Sequence, residues 1–176
     1  MNIGLLLGSF DPPHIGHAYI AIEALDYVDE VWVIPAWQNP FKKGKSLPFE
    51  HRYNMTKLLF DTINNPKIIV DSVESIIKPD YSYELIKHLV KSTTSNHRFS
   101  IIGGYDIVEN IHRWRQSDFI LSVCGLVGIN REKINISSTE IRALLNDNKE
   151  TQPFLTKEVI NYIKNKNLYN YGVFTS

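Results

Sequence analysis

The chain reads as a doubly wound α/β domain: a mainly parallel sheet with helices on both faces. Three observations predict it. Short apolar, β-rich runs alternate with segments of helical spacing along nearly the whole length, and glycines and prolines punctuate the changeovers. At 176 residues, with 43% hydrophobic and 22% charged residues, the chain suits one domain, spanning 1–176, with a sizeable core. Strands alternating with helices need crossover connections, which build parallel sheets covered on both faces.

Taken in order, Ile3 to Leu7 is a short buried strand, and Ala18 to Leu25 places apolar residues at helical spacing. Glu30 to Ile34 is a β-rich run ended by Pro35, from which a polar loop leads to about Phe49. Phe49 to Ile63 has helical spacing at Tyr53, Met55, Leu58 and Leu59, and Asn64-Asn65-Pro66 stops it before a strand at Lys67 to Val70. Tyr83 to Val90 reads as a helix, Phe99 to Ile102 as a strand cut by Gly103-Gly104, and Ile107 to Trp114 as a shorter helix. Ile120 to Ile129 follows as an apolar, strand-like run. In such a sheet ligands sit beyond the carboxyl ends of the strands, so the loops after Leu7, Ile34, Ile102 and Ile129 should gather along one edge. The tail from Tyr169 to Ser176 is expected to be loosely held.

Nineteen basic and nineteen acidic residues leave no net charge, so no global field points to nucleic acid, and an anion site must be local. The single cysteine, Cys124, lies in an apolar stretch without a neighbouring base and reads as a buried structural thiol. No segment has the length of a membrane span or the form of a secretory signal, which makes the cytoplasm the expected location. An apolar face on the last helix leaves self-association into a homo-oligomer open.

Two stretches carry the chemistry. The first is Gly8-Ser9-Phe10-Asp11-Pro12-Pro13-His14-Ile15-Gly16-His17, between the first strand and first helix. Gly8 and Gly16 let backbone approach a ligand, and the helix start is expected to offer unpaired N–H groups and the positive end of its dipole to an anion. His14 and His17 add ring donors, and a bound triphosphate would favour their cationic form. Taken alone, two histidines three apart merely cap and solvate a helix start. The second is Asn135-Ile136-Ser137-Ser138-Thr139-Glu140-Ile141-Arg142, where Ser137 and Glu140 have capping-box spacing. Ser138, Thr139 and the first-turn amides could hold phosphate oxygens, and Arg142 adds a planar, permanently charged fork.

With the strand before it, the first stretch resembles the H-x-G-H signature of the nucleotidyltransferase superfamily. Its form is the G-[GS]-[TS]-F-D-P-x-H-x-G-H of nicotinate and nicotinamide mononucleotide adenylyltransferases. The second resembles the I-S-S-T-x-I-R motif of that family, intact at every fixed position. Weaker stretches follow the same pattern. Pro40-Phe41-Lys42-Lys43 falls where the family shows P-P-H-[KR], so Lys42 matches the basic position while Phe41 replaces a histidine. Lys42, Lys43 and Lys45 form either a cationic loop that closes on a triphosphate or a solvated loop. Glu50-His51-Arg52 resembles [EQ]-x-R, with Arg52 either a ligand contact or a helix-surface charge. Pro79-Asp80-Tyr81-Ser82-Tyr83 resembles a P-S-Y-T turn, and Ile101 to Asp106 resembles I-I-G-x-D with one glycine extra. Trp114 matches a tryptophan that stacks on the pyridine ring in relatives, with Trp37 as the rival. The resemblance runs to Val159–Ile163 and Leu168-Tyr169, and its main departure is a short connection between Ile129 and Ile136.

The resemblance implies a single nucleotidyltransferase domain with a Rossmann-like sheet. It implies transfer of adenylyl from ATP to nicotinate or nicotinamide mononucleotide, giving the dinucleotide and pyrophosphate in NAD biosynthesis. His14, His17, Lys42 and Arg142 would be the catalytic residues. ATP would be held by Gly8, Ser9, Phe10, His14, His17, Gly103, Asp106, Ser137, Ser138, Thr139 and Arg142. The mononucleotide would meet Ser9, Phe10, Lys42, Arg52, Ser82, Tyr83 and Trp114. Magnesium is expected with ATP, held by phosphates and water without a protein carboxylate cage, and no protein metal site is expected. The other readings are a sister H-x-G-H enzyme, either a phosphopantetheine adenylyltransferase or a cytidylyltransferase, and a nucleotide sensor without turnover. The intact donor set argues against the sensor.

Overall fold

The computed structural model describes residues 1–38, 46–92, 97–130, 134 and 136–170. Strands β1 (Asn2–Gly8), β2 (Glu30–Pro35), β3 (Ile68–Val70), β4 (Arg98–Gly104) and β5 (Cys124–Ile129) form one sheet in the order β3-β2-β1-β4-β5, with every pairing parallel. Among the described residues eight helices accompany them: α1 (Ile15–Ala24), α2 (Phe49–Ile63), α3 (Val73–Ile77), α4 (Ser82–Ser92), α5 (Tyr105–Asn110), α6 (Ser117–Val123), α7 (Ser138–Asn146) and α8 (Lys157–Asn165). The doubly wound, Rossmann-like α/β class expected from the alternation is the one observed.

The central strand explains the two layers. Side chains alternate across a strand, so Ile3 and Leu5 of β1 enter one core with Leu85, Ile86 and Leu89 of α4 and Ile120 of α6. Leu6 enters the other, with residues of α1, α2, α7 and α8. Gly4 leaves room beneath Val28, whose Cγ2 would lie 3.0 Å from a Cβ added there. Ile141 and Leu145 of α7 are fully buried, and at about 2 kcal/mol of transfer free energy each they pin that helix to the sheet. The β1 register, Leu6 against Val33 and Ile102, sets the ends of β1, β2 and β4 side by side. The strand order reverses between β1 and β4, the place where ligands of such sheets bind.

Three expectations are corrected. Ile120 to Ile129 is not one strand: Ser117–Val123 is helical and β5 starts at Cys124, because Ile120 is buried against α4 while its chain neighbours face outward or sit half-buried. The short α3 carried no pattern strong enough to read. The apolar face of α8 is not left for a partner copy, since Val159 and Ile163 are buried in the core that α2 shares. Tyr169 is also not loose, because its hydroxyl donates to Asp11 Oδ1 at 2.6 Å; residues 171–176 lie outside the described set. No helix among the described residues is long and apolar enough to cross a membrane.

Candidate active site

The loop after β1 turns sharply at Phe10, whose φ of 49° is held by a fully buried ring packed edge-on against His17, centroids 4.8 Å apart. With its side chain inside, Phe10 can meet a ligand only through its backbone. The following Asp11–Pro12 peptide is cis. α1 then opens with a reciprocal cap made by the two histidines: Gly16 N–H donates to His14 Nδ1 at 3.1 Å, and His14 N–H donates to His17 Nδ1 at 3.1 Å. Gly16 is required here, since a Cβ would lie 2.9 Å from His14 Nδ1.

This arrangement corrects one expectation about the first motif. The start of α1 does not offer its amides to an anion, because Ile15 N–H is taken by Phe154 O at 3.0 Å and Gly16 N–H by the His14 ring. An Nδ1 that accepts a backbone hydrogen bond carries no proton, which makes Nε2 the ring nitrogen that can donate. Capping and donating are thus one device: the cap that looked like the bland alternative fixes which nitrogen can donate outward. The rings lie against each other, centroids 3.8 Å apart.

The second motif closes onto the first. Ser138 Oγ donates to Pro12 O at 2.9 Å, and Arg142 Nη1 donates to Asp11 O at 2.6 Å while its Nη2 donates to Thr139 Oγ1 at 3.1 Å. Ser137 caps α7 as its spacing implied, donating from its N–H and hydroxyl to Glu140 Oε2 and accepting from Glu140 N–H. These bonds hold the Glu140 carboxyl below its ordinary range. Ser137 therefore caps α7, with both of its donors engaged by Glu140. Among the described residues the N–H groups of Ser138 and Thr139 keep no protein partner, so α7, not α1, supplies the open helix start.

Arg52 is neither of the alternatives its sequence allowed. It is 2% exposed and donates to three backbone carbonyls: Nε to Leu47 at 2.9 Å, Nη1 to Ser9 at 2.7 Å and Nη2 to Trp37 at 2.9 Å. The expected mononucleotide contact is corrected to a buried clamp joining the loops after β1 and β2. Glu74 of α3, 4% exposed, grips the other side of Trp37 by accepting its N–H at 2.5 Å. Burial pushes the Glu74 carboxyl up to about 7, with the Trp37 amide and the Arg52 charge pulling the other way.

Beside this clamp opens a cleft of about 710 Å³ at the carboxyl end of β1, a volume in the range of small-molecule sites. Gly8, Ser9, Ser82 and Trp114 line it, together with Glu74, Tyr81, Arg113 and Arg115. Of the two rival tryptophans Trp114 faces the cleft. The Trp37 ring lies between Phe49, 5.5 Å away, and Lys78 Nζ, 4.8 Å from its centroid. Tyr83 does not line the cleft; its hydroxyl turns to Glu84 Oε1 at 3.0 Å. The extra glycine is absorbed by β4, which runs through Gly104, and a Cβ added at Gly103 would lie 3.0 Å from Ile107 Cγ2. Asp106 is exposed on the first turn of α5, beyond the β4 end. Lys42 and the Phe41 departure lie outside the described residues.

Sequence reasoning missed Glu74, Arg113 and Arg115, and gave Asp11 and Tyr169 no role. Glu74 carries no local signal, since one acid on a five-residue helix is ordinary until the fold buries it. The arginines flank Trp114, and that adjacency could have drawn attention to them; Arg115 lies over the Tyr81 ring, 4.8 Å from its centroid.

Comparison with known proteins agrees with this geometry. The family model described as cytidylyltransferase-like matches residues 5–144. A protein of Oceanobacillus iheyensis named probable nicotinate-nucleotide adenylyltransferase is 30% identical over 97% of this chain and 98% of its own length. One of the same name from Shouchella clausii is 33% identical over 96% of each. The solved Plasmodium falciparum nicotinic acid mononucleotide adenylyltransferase, complexed with NaAD, superposes with a TM-score of 0.76 over 97% of this chain and 98% of that one, at 24% identity. That last likeness speaks to the fold. With two motifs joined at one sheet edge and relatives matched almost end to end, the chain belongs to the cytidylyltransferase-like family, among its nicotinate-nucleotide adenylyltransferases.

Proposed function

We propose that the protein joins ATP to nicotinate mononucleotide, giving the dinucleotide and pyrophosphate in NAD biosynthesis. One observation carries the reading: Arg142 and Ser138 bond to the carbonyls of Asp11 and Pro12 across 131 and 126 residues, so imidazole and guanidinium donors belong to one edge. The relatives' shared name favours the acid over the amide substrate.

In the transfer, a 5′-phosphate oxygen of the mononucleotide attacks the α-phosphorus of ATP. The new P–O bond forms as the bond to the β-phosphate bridging oxygen breaks, and the electron pair leaves with pyrophosphate. The attacking phosphate has its second pKa near about 6 and is mostly dianionic at neutral pH, so no protein base is required. The protein's part is to hold two anions in line and to stabilise charge on the leaving group. In this reading His14 and His17 donate from Nε2, the amides of Ser138 and Thr139 and the Arg142 fork take phosphate oxygens, and Lys42 adds a cation. Trp114 offers a flat face to the pyridine ring.

Magnesium enters with ATP as part of the substrate. The groups gathered here are N–H, imidazole and guanidinium donors, which fit phosphate oxygens, and no cluster of three or more His, Cys, Asp or Glu among the described residues could hold a metal ion itself. We also infer a cytoplasmic location, where ATP is at hand. The test is pyrophosphate release from ATP with nicotinate mononucleotide, nicotinamide mononucleotide and phosphopantetheine compared side by side. Release with the first supports the reading; release with phosphopantetheine alone makes the chain a sister transferase, and nucleotide binding without release makes it a sensor.

A further inference from the structure

Asp11 is a surprising neighbour for a polyphosphate, because a carboxylate in the loop that binds the substrate would repel it. The structure keeps that carboxylate inward: Asp11 is 3% exposed, with Oδ1 accepting from the Tyr169 hydroxyl at 2.6 Å and Oδ2 from Leu47 N–H at 3.4 Å. Its main-chain oxygen is the one that holds Arg142. Tyr169 arrives from the 3-10 turn Leu168–Asn170, which is seated by the buried Leu168 and packs on α7. Its φ of 56° is a conformation that a tyrosine keeps only where tertiary contacts impose it. Burial and the Asp11 charge hold the phenol far above its ordinary range, against the pull of Arg142 and Arg52, so it remains a donor at any working pH.

We propose that Tyr169 is a positioning residue for adenylyl transfer: its hydroxyl draws the Asp11 carboxylate away from the polyphosphate and steadies the carbonyl on which Arg142 rests. This deepens the adenylyl-transfer reading and depends on it for its kinetic test. No ligand contact by Tyr169 is needed; it acts through Asp11, tying the end of the described chain to the histidine loop 158 residues earlier.

Tyr169→Phe removes the hydroxyl and keeps the ring. Its kcat/KM for ATP should fall about tenfold, as for loss of one tertiary hydrogen bond that orients a site, with KM for nicotinate mononucleotide within about twofold. Ile120→Val, which trims the opposite core, serves as a control of similar thermal destabilisation with unchanged kinetics. In an Asp11→Asn background the loss of the hydroxyl should cost less than about threefold, because coupled residues are not additive. Amide hydrogen exchange supplies a readout that needs no turnover: Leu47 and Gly16 N–H should exchange faster in Tyr169→Phe, with Ile101 of β4 unchanged. Full activity in Tyr169→Phe, losses that multiply with Asp11→Asn, or unaltered exchange at Leu47 each overturns the proposal. A wild-type protein that releases no pyrophosphate overturns the functional reading instead, and the exchange measurement still decides about Tyr169.

Discussion

Replacing Glu74 with glutamine isolates the energetic consequence of burying an acid beside the cleft. An ordinary glutamate loses its proton near 4.5, whereas Glu74 in the folded chain loses it near about 7, chiefly because burial disfavours the charge. Between those values the folded state holds a proton that the unfolded state has released, so stability falls as pH rises through that window. Above about 7 both states are ionised and the full penalty is present. At about 1.4 kcal/mol per pH unit, the gap corresponds to about 3 kcal/mol.

Glutamine does not ionise, and its amide oxygen still accepts the Trp37 N–H. The difference in unfolding free energy between Glu74→Gln and wild type should therefore move by about 3 kcal/mol in favour of the variant from pH 4 to pH 8. Urea denaturation of both proteins at the two pH values measures it. Taking the difference removes the other titrating groups, including Glu140, whose depressed pKa pulls in the opposite direction. A difference that stays flat within about 1 kcal/mol, or that moves toward wild type, would refute the assignment of a buried, reluctantly charged carboxylate to this position.

His17→Ala should cost roughly a hundredfold in kcat, on the order of 3 kcal/mol for one preorganised donor, and about 1 kcal/mol of stability for the lost cap on His14 N–H. Pyrophosphate release at saturating substrate and a urea midpoint check both, and an unchanged rate would end the catalytic assignment. Gly16→Ala should also lose more than about tenfold in kcat, because a Cβ 2.9 Å from His14 Nδ1 must displace the ring that sets the donor geometry. Cys124, buried and pushed up to about 11, should resist a thiol-specific reagent at pH 8 in the native protein and react stoichiometrically in urea.

What the sequence disclosed divides along the line between local and convergent signals. The helix Phe49–Ile63 was legible to the residue because its apolar spacing and its Asn64-Asn65-Pro66 stop are local features. The two motifs were legible for a similar reason: each is a contiguous strand-to-helix or loop-to-helix corner. Val123 and Cys124 illustrate the failure, since an apolar helix end running directly into an apolar strand leaves no change of composition to mark the boundary. Arg52 fails differently. Its place near the start of a helix suggested a ligand contact or a surface charge, and only the meeting of the loops after β1 and β2, at Ser9, Trp37 and Leu47, turns it inward. Glu74 and Tyr169 belong to the same class, because each owes its role to a partner far off in the chain.

Under the proposed function the loop after β1 faces a problem that its glycines and histidines do not solve. Every residue contributes a carbonyl whose negative end repels the ligand. Here these oxygens are covered one after another by the rest of the fold. Gly8 O accepts from Ala36 N–H at 2.8 Å, Ser9 O from Arg52, Asp11 O from Arg142 and Pro12 O from Ser138. Two of the four donors are guanidinium groups, which replace an exposed acceptor with positive charge. The second motif thus does more than offer donors: by docking on Asp11 and Pro12 it covers two carbonyl dipoles and brings a cation to the same edge. That dual use accounts for an arginine at position 142, because a lysine has no planar fork with which to hold Asp11 O and Thr139 Oγ1 together.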